Sequence, residues 1–159
     1  MSEVSTEIPK IVRLDIESSQ QQADMQKLFI EYSSNAKASI KENIVEELCQ
    51  LPYFIGFIAY QGNKPVGFAV CLESFSSYRC KKVLNIHDFM ISGQYRGKGY
   101  GKVLLKGVET FSRENDYLKI TLEVDDNNHS AQKLYTSCGF EDHQVKLKRL
   151  LHWQKYVIE

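Results

Sequence analysis

The chain has 159 residues, 43% of them hydrophobic and 25% charged, and its 20 Lys+Arg balance its 20 Asp+Glu. This length suits one compact domain over residues 1–159 with its own core, and the composition excludes a disordered segment. Zero net charge argues against a nucleic-acid partner, which selects a basic surplus, and no apolar run approaches the roughly 18 residues of a membrane span.

Met1-Ser2-Glu3-Val4-Ser5 has neither the basic nor the apolar region of a signal peptide. Cys49, Cys71, Cys80 and Cys138 form no CxxC pair and keep no metal spacing with His87, His129, His143 or His152. Reduced thiols in a cytoplasmic protein are expected, and no metal.

In chain order, Ile11–Ile16 alternates apolar and charged residues and predicts a half-buried strand. Met25, Leu28, Phe29 and Tyr32 recur at helical spacing between Gln20 and about Ser33. A second helix spans roughly Ile40 to Leu51, stopped by Pro52. Tyr53–Tyr60 and Val66–Phe75 flank the turn residues Gln61-Gly62-Asn63-Lys64-Pro65, which predicts a hairpin. A strand follows from about Val83 to Ser92, then a helix from Gly99 to Asn115 with Leu104, Leu105, Val108 and Phe111 on one face. Lys119–Val124 reads as a strand. Asn128–Cys138 reads as a short helix with Ala131, Leu134, Tyr135 and Cys138 on one face, stopped by Gly139. Leu150–Ile158 is strand-like.

The most specific local pattern is Gln94-Tyr95-Arg96-Gly97-Lys98-Gly99-Tyr100-Gly101, lying between a strand and a helix. Glycines at every second position let a ligand approach the backbone, and the helix start presents unpaired amides and a positive dipole end. Arg96 and Lys98 add cationic side chains, so the site suits a phosphate or pyrophosphate. The dinucleotide fingerprint fails because Lys102 stands where its third glycine belongs. The P-loop pattern fails at the same residue, and Val103 follows Gly101-Lys102 where Ser or Thr is needed.

What fits is Gln94-x-x-Gly97-x-Gly99, which resembles the acetyl-coenzyme A loop of the GCN5-related N-acetyltransferase (GNAT) superfamily. Asn128-x-x-Ala131-x-x-x-Tyr135-x-x-x-Gly139-Phe140 resembles that family's second signature. The resemblance implies an α/β (α+β) fold in which helices flank a central mixed, twisted β-sheet, in the order β-α-α-β-β-β-α-β-α-β-β. It implies acetyl transfer from acetyl-CoA to a primary amine of a small molecule or peptide, by direct attack in a ternary complex. Protein lysine or N-terminal acetylation and a non-catalytic acyl-CoA-binding module are the other readings.

By the same resemblance, the amides of Arg96, Gly97, Lys98, Gly99, Tyr100, Gly101 and Lys102 hold the pyrophosphate. Phe89-Met90-Ile91 splays from its neighbour to bond the pantetheine arm and the acetyl carbonyl, and Asn128 and Ala131 contact the coenzyme arm. Asn128 also suits an N-cap, and the two roles are compatible. Tyr135 matches the position from which family members donate to the coenzyme sulfur, and it also fits a core position. His87 stands where related polyamine-type enzymes often carry a carboxylate. Imidazole suits a base at neutral pH, although a backbone-bonded histidine and proton transfer through water remain open. Strict alternation puts His87, Phe89 and Ile91 on one face, and Asp88 and Met90 on the other. Glu31, Glu46, Glu47 and Glu73 are available to an acceptor site but read first as solvated surface charges. The apolar C-terminal segment with Trp153 and Tyr156 suggests a homodimer edge.

Overall fold

The computed structural model describes residues 7–36, 39–143 and 153–157. Among these, five strands form one sheet in the order β1-β2-β3-β4-β5. They are β1 (Lys10–Arg13), β2 (Phe54–Gln61), β3 (Lys64–Ser76), β4 (Lys81–Ile91) and β5 (Lys119–Leu122). The first three pairings are antiparallel and β4–β5 is parallel. That last pairing needs a crossover, supplied by α3 (Tyr100–Glu114).

Helices cover both faces. α1 (Ser19–Asn35) and α2 (Ile44–Cys49) bury Met25, Phe29, Val45 and Leu48 against Ile58, Phe68, Val70 and Met90. On the other face, Leu104, Leu105 and Val108 of α3 pack on Phe57, Ala59, Leu84 and Ile86. α4 (His129–Ser137) adds Leu134 and Tyr135 to that side. β2 and the middle of β3 are buried on both faces, as expected of central strands covered by two helical layers.

The α/β class and the order of elements are as expected, with local shifts. β1 ends at Arg13, and Leu14 N–H bonds Gly56 beyond the ladder. α2 begins only at Ile44, because the preceding backbone makes a turn in which Ile44 N–H donates to Lys41. The hairpin turn shortens to Gly62-Asn63, and Pro65 enters β3 at a register shift, where a missing N–H is tolerated. The closing strand expected over Leu150–Ile158 lies partly outside the described residues, and residues 153–157 carry no regular structure.

The end of α4 is fixed locally. Gly139 has φ +89°, Phe140 N–H donates to Tyr135 and Gly139 N–H to Thr136, which is a Schellman closure. It orients the turn of α4 that carries Tyr135.

Candidate active site

β4 pairs with β5 only over Val83–Ile86, yet it continues along β3 to Ile91. Beyond Ile86 the two parallel strands part, leaving one edge of His87–Ile91 without a strand partner among the described residues. Ser92 N–H faces β3, bonding Val66 O at 2.8 Å, while Ile91 O faces the open edge. The two-residue period therefore aims the backbone groups of Phe89 and Ile91 into the opening and those of Met90 at β3. The expected splay is present, with one correction. Met90 has its side chain buried against α1 and its backbone in the β3 ladder.

A second correction concerns alternation. Val70 pairs with Asp88 but Cys71 pairs with Ile86, so His87 is the extra residue of a β-bulge. The bulge shifts the phase of the strand: Leu84 and Ile86 share the α3 face with Phe89 and Ile91. His87 is exposed at the opening, and Asp88 turns toward α1.

The opening leads into a cleft of about 380 Å³ lined by His87, Phe89, Asn128, Ala131 and Tyr135, together with Tyr32, Glu123 and Asp125. The Asn128 carboxamide oxygen accepts the Ala131 N–H at 3.2 Å, so it caps α4 and lines the cleft at once. Tyr135 stands edge-to-face on Phe89 and packs on Phe140. Burial, and then the neighbouring Tyr32, push its phenol above the ordinary tyrosine range. It therefore stays protonated at neutral pH.

Tyr32 was legible in the sequence only as an apolar-face residue of a helix. Its hydroxyl bonds the Asp88 carboxylate, and burial followed by the charges of Asp88 and Asp125 raises it. Burial likewise raises Asp88, against the opposing pull of His87 and the Tyr32 hydrogen bond. Glu123 and Asp125 were also missed. No local motif marks them, since they reach the cleft only because β5 stops at Leu122.

The glycine loop follows β4 through a 3-10 turn at Gly93–Tyr95 that carries an exposed Gln94. Gly97 and Gly99 have φ of +74° and +82°, and a Cβ at either would point into open space. Gly99 is the N-cap of α3 and offers no side-chain acceptor, so the first-turn amides are left for an acceptor from outside. Those features fit a phosphate-bearing ligand. The side chains divide differently from the expectation. Arg96 folds back, its Nε donating to Ile91 O at 2.8 Å, so that nitrogen is spent on the loop itself. Tyr100 is buried, stacked on Tyr95 and bonded by Gln61, so only its backbone faces outward. Lys98 lies over the Tyr95 ring, and Lys102 is exposed on the first turn of α3. A Cβ on Gly101 would meet Leu134 at 2.9 Å, so its bareness lets α4 approach α3.

The candidate acceptor carboxylates are mostly engaged. Glu73 accepts the Tyr117 hydroxyl, Glu47 accepts from Asn43, and Glu31 is bonded at Ser92 and Gly93. Glu46 is exposed on α2.

The acetyltransferase (GNAT) family's sequence profile matches residues 19–140. The chain belongs to that family, whose members are acyltransferases. It is 31% identical over 85 residues to N-acetyltransferase 8F1 of Rattus norvegicus, covering 54% of this chain and 38% of that protein. The chain thus spans well under half the length of that relative. An aminoglycoside acetyltransferase from an uncultured soil metagenomic sample, solved with sisomicin, superposes at TM-score 0.78 and 18% identity, covering 95% of this chain and 97% of that one. An aminoglycoside N-acetyltransferase solved with CoA superposes at TM-score 0.67 and 18% identity, covering 92% and 99%. At such identities the likeness speaks for the fold.

Proposed function

We propose that this protein, as one domain over residues 1–159, moves an acetyl group from acetyl-CoA to a primary amine of a small molecule or peptide by direct attack in a ternary complex. The observation that carries the reading is the parting of β4 from β5, which opens a cleft holding His87 and Tyr135 beside the strand that runs on into the glycine loop. The structures of like fold that were solved with CoA and with sisomicin support the coenzyme and a small amine as the two ligands.

Acetyl-CoA supplies an activated acyl group and a thiolate leaving group. The amides of Gly97 to Lys102, with the dipole of α3, hold its pyrophosphate. The N–H groups of Phe89 and Ile91 face the opening and stabilise the charge that develops on the acyl oxygen. An incoming amine must shed a proton, and His87 accepts it at the solvent-exposed bulge, from which water carries it away. Tyr135, held protonated by burial, donates to the departing sulfur. Tyr32, anchored by Asp88, presents its oxygen to the amine. Asn128 and Ala131 flank the coenzyme arm.

The same reading has the protein in the cytoplasm with its four cysteines as free thiols. It works without metal, nucleic acid or membrane, and no helix among the described residues is long and apolar enough to cross a bilayer. A homodimer through the exposed Trp153 and Tyr156 belongs to it, and sedimentation of wild type against Trp153→Ser tests that part. The central test is a panel of small amines, peptides and N-termini assayed for free thiol release. Turnover of small amines supports the reading, turnover confined to peptides makes the protein a protein acetyltransferase, and coenzyme binding without turnover makes it a binding module.

A further inference from the structure

One carboxylate outside the cleft is bound into the loop that precedes the glycines. Glu31, on the last full turns of α1, accepts the Ser92 hydroxyl at 3.1 and 2.9 Å through its two oxygens, and the Gly93 N–H at 2.9 Å. These residues are some 60 positions apart in sequence, so only the packing of α1 on the sheet brings them together. Ser92 and Gly93 are the joint between β4 and the 3-10 turn that leads into the glycine loop. The other contacts of this joint are backbone bonds, Ser92 N–H to Val66 O at 2.8 Å, Tyr95 N–H to Ser92 O at 2.9 Å and Arg96 N–H to Gly93 O at 3.3 Å. Arg96 ties the far side of the turn to Ile91.

A carboxylate accepting from a hydroxyl and an amide makes charge-assisted bonds, roughly twice as strong as neutral ones. Gly93 N–H begins a short helical turn and has no intrahelical acceptor, so Glu31 supplies one. Glycine at a joint is otherwise the residue least able to hold a backbone in place.

We propose that Glu31 is a positioning residue for the coenzyme: it locks the Ser92-Gly93 joint so that the amides from Gly97 to Lys102 converge on one anion. The next residue, Tyr32, lines the acceptor cleft, so the same turn of α1 sets the donor loop and one wall of the acceptor side together. The proposal rests on the reading that the glycine loop takes acetyl-CoA.

The test is titration calorimetry with CoA, and steady-state kinetics in acetyl-CoA, on wild type, Glu31→Ala, Glu31→Gln, Ser92→Ala and the Glu31→Ala/Ser92→Ala double variant. Glu31→Ala is expected to weaken CoA and raise KM for acetyl-CoA by about tenfold, the scale of one lost charge-assisted bond, with kcat at saturation little changed. Glu31→Gln recovers most of the affinity, because its amide oxygen still accepts the Gly93 N–H. The Ser92→Ala effect is smaller, and it shrinks further when Glu31 is already Ala. Where Glu31→Ala does not fold, Glu31→Gln against Ser92→Ala carries the comparison. Unchanged CoA affinity in folded Glu31→Ala overturns the proposal and leaves the coenzyme reading intact. So does a fall in kcat with KM unmoved. Wild type that fails to bind CoA overturns both.

Discussion

Tyr135 meets Phe89 edge to face, with ring centroids 6.1 Å apart, across the gap where β4 and β5 have ceased to pair. The contact spans the two walls of the cleft, a strand that has no strand partner on one edge among the described residues and a helix whose phenol is held protonated. It fixes the hydroxyl of Tyr135 relative to the backbone groups that face the same opening. An edge-to-face pair of this kind is worth about 0.5–1.5 kcal/mol beyond the area it buries.

Tyr135→Phe keeps that ring contact and deletes only the hydroxyl. Turnover at saturating acetyl-CoA is expected to fall about 10²-fold or more, the scale of losing a positioned acid. Melting temperature and CoA affinity should hardly move. A rate within about twofold of wild type, with chemistry shown to be rate-limiting, would make Tyr135 a packing residue.

His87 stands on a bulge, exposed at the cleft, with no role in the core. His87→Ala is therefore expected to leave folding and CoA binding intact while removing the rise of kcat/KM with pH that a neutral imidazole base produces. Superimposable pH profiles in the two proteins would assign the proton to water.

Asp88 makes a prediction about stability. Burial raises its carboxyl above the ordinary range, so in the window between the unfolded and folded values the native state holds more protons than the unfolded chain. Stability then declines as pH rises through that window. Asp88→Asn removes the titration and still offers an oxygen to the Tyr32 hydroxyl. Its melting temperature should exceed that of wild type at neutral pH. The gain should fade on acidification below the ordinary carboxylate range. A constant difference across the whole pH series would contradict the burial argument.

At Gly99, φ of +82° and open space beyond Cα separate two effects. Gly99→Val strains the backbone and obstructs the phosphate approach, whereas asparagine tolerates left-handed geometry and chiefly obstructs. Gly99→Asn should melt near wild type yet lose the stabilisation by acetyl-CoA, which for a ligand at a hundredfold its Kd is about 2.7 kcal/mol. Thermal shift with and without coenzyme reads both. An unimpaired shift in folded Gly99→Asn would move the phosphate elsewhere.

The sequence by itself determined the succession of elements from β1 to α4 and the place of the glycine loop between β4 and α3, because those depend on local physics. Apolar periodicity marked α1, α3 and α4. Gly139 stopped α4 at a positive φ as a helix-ending glycine does, and Asn128 capped α4 within three residues of itself. Only the tertiary structure decided which groups face the cleft. One extra residue at His87 shifts the phase of β4, which strict alternation cannot anticipate, since a bulge depends on the partner strand. The early end of β5 opens the sheet and exposes Glu123 and Asp125. The packing of α1 brings Tyr32 to Asp88 and Glu31 to Ser92 over separations of 56 and 61 residues, which no local pattern encodes. The Nε of Arg96 supports the loop for the same reason, since the Ile91 carbonyl that it bonds is brought beside it only by the folded turn.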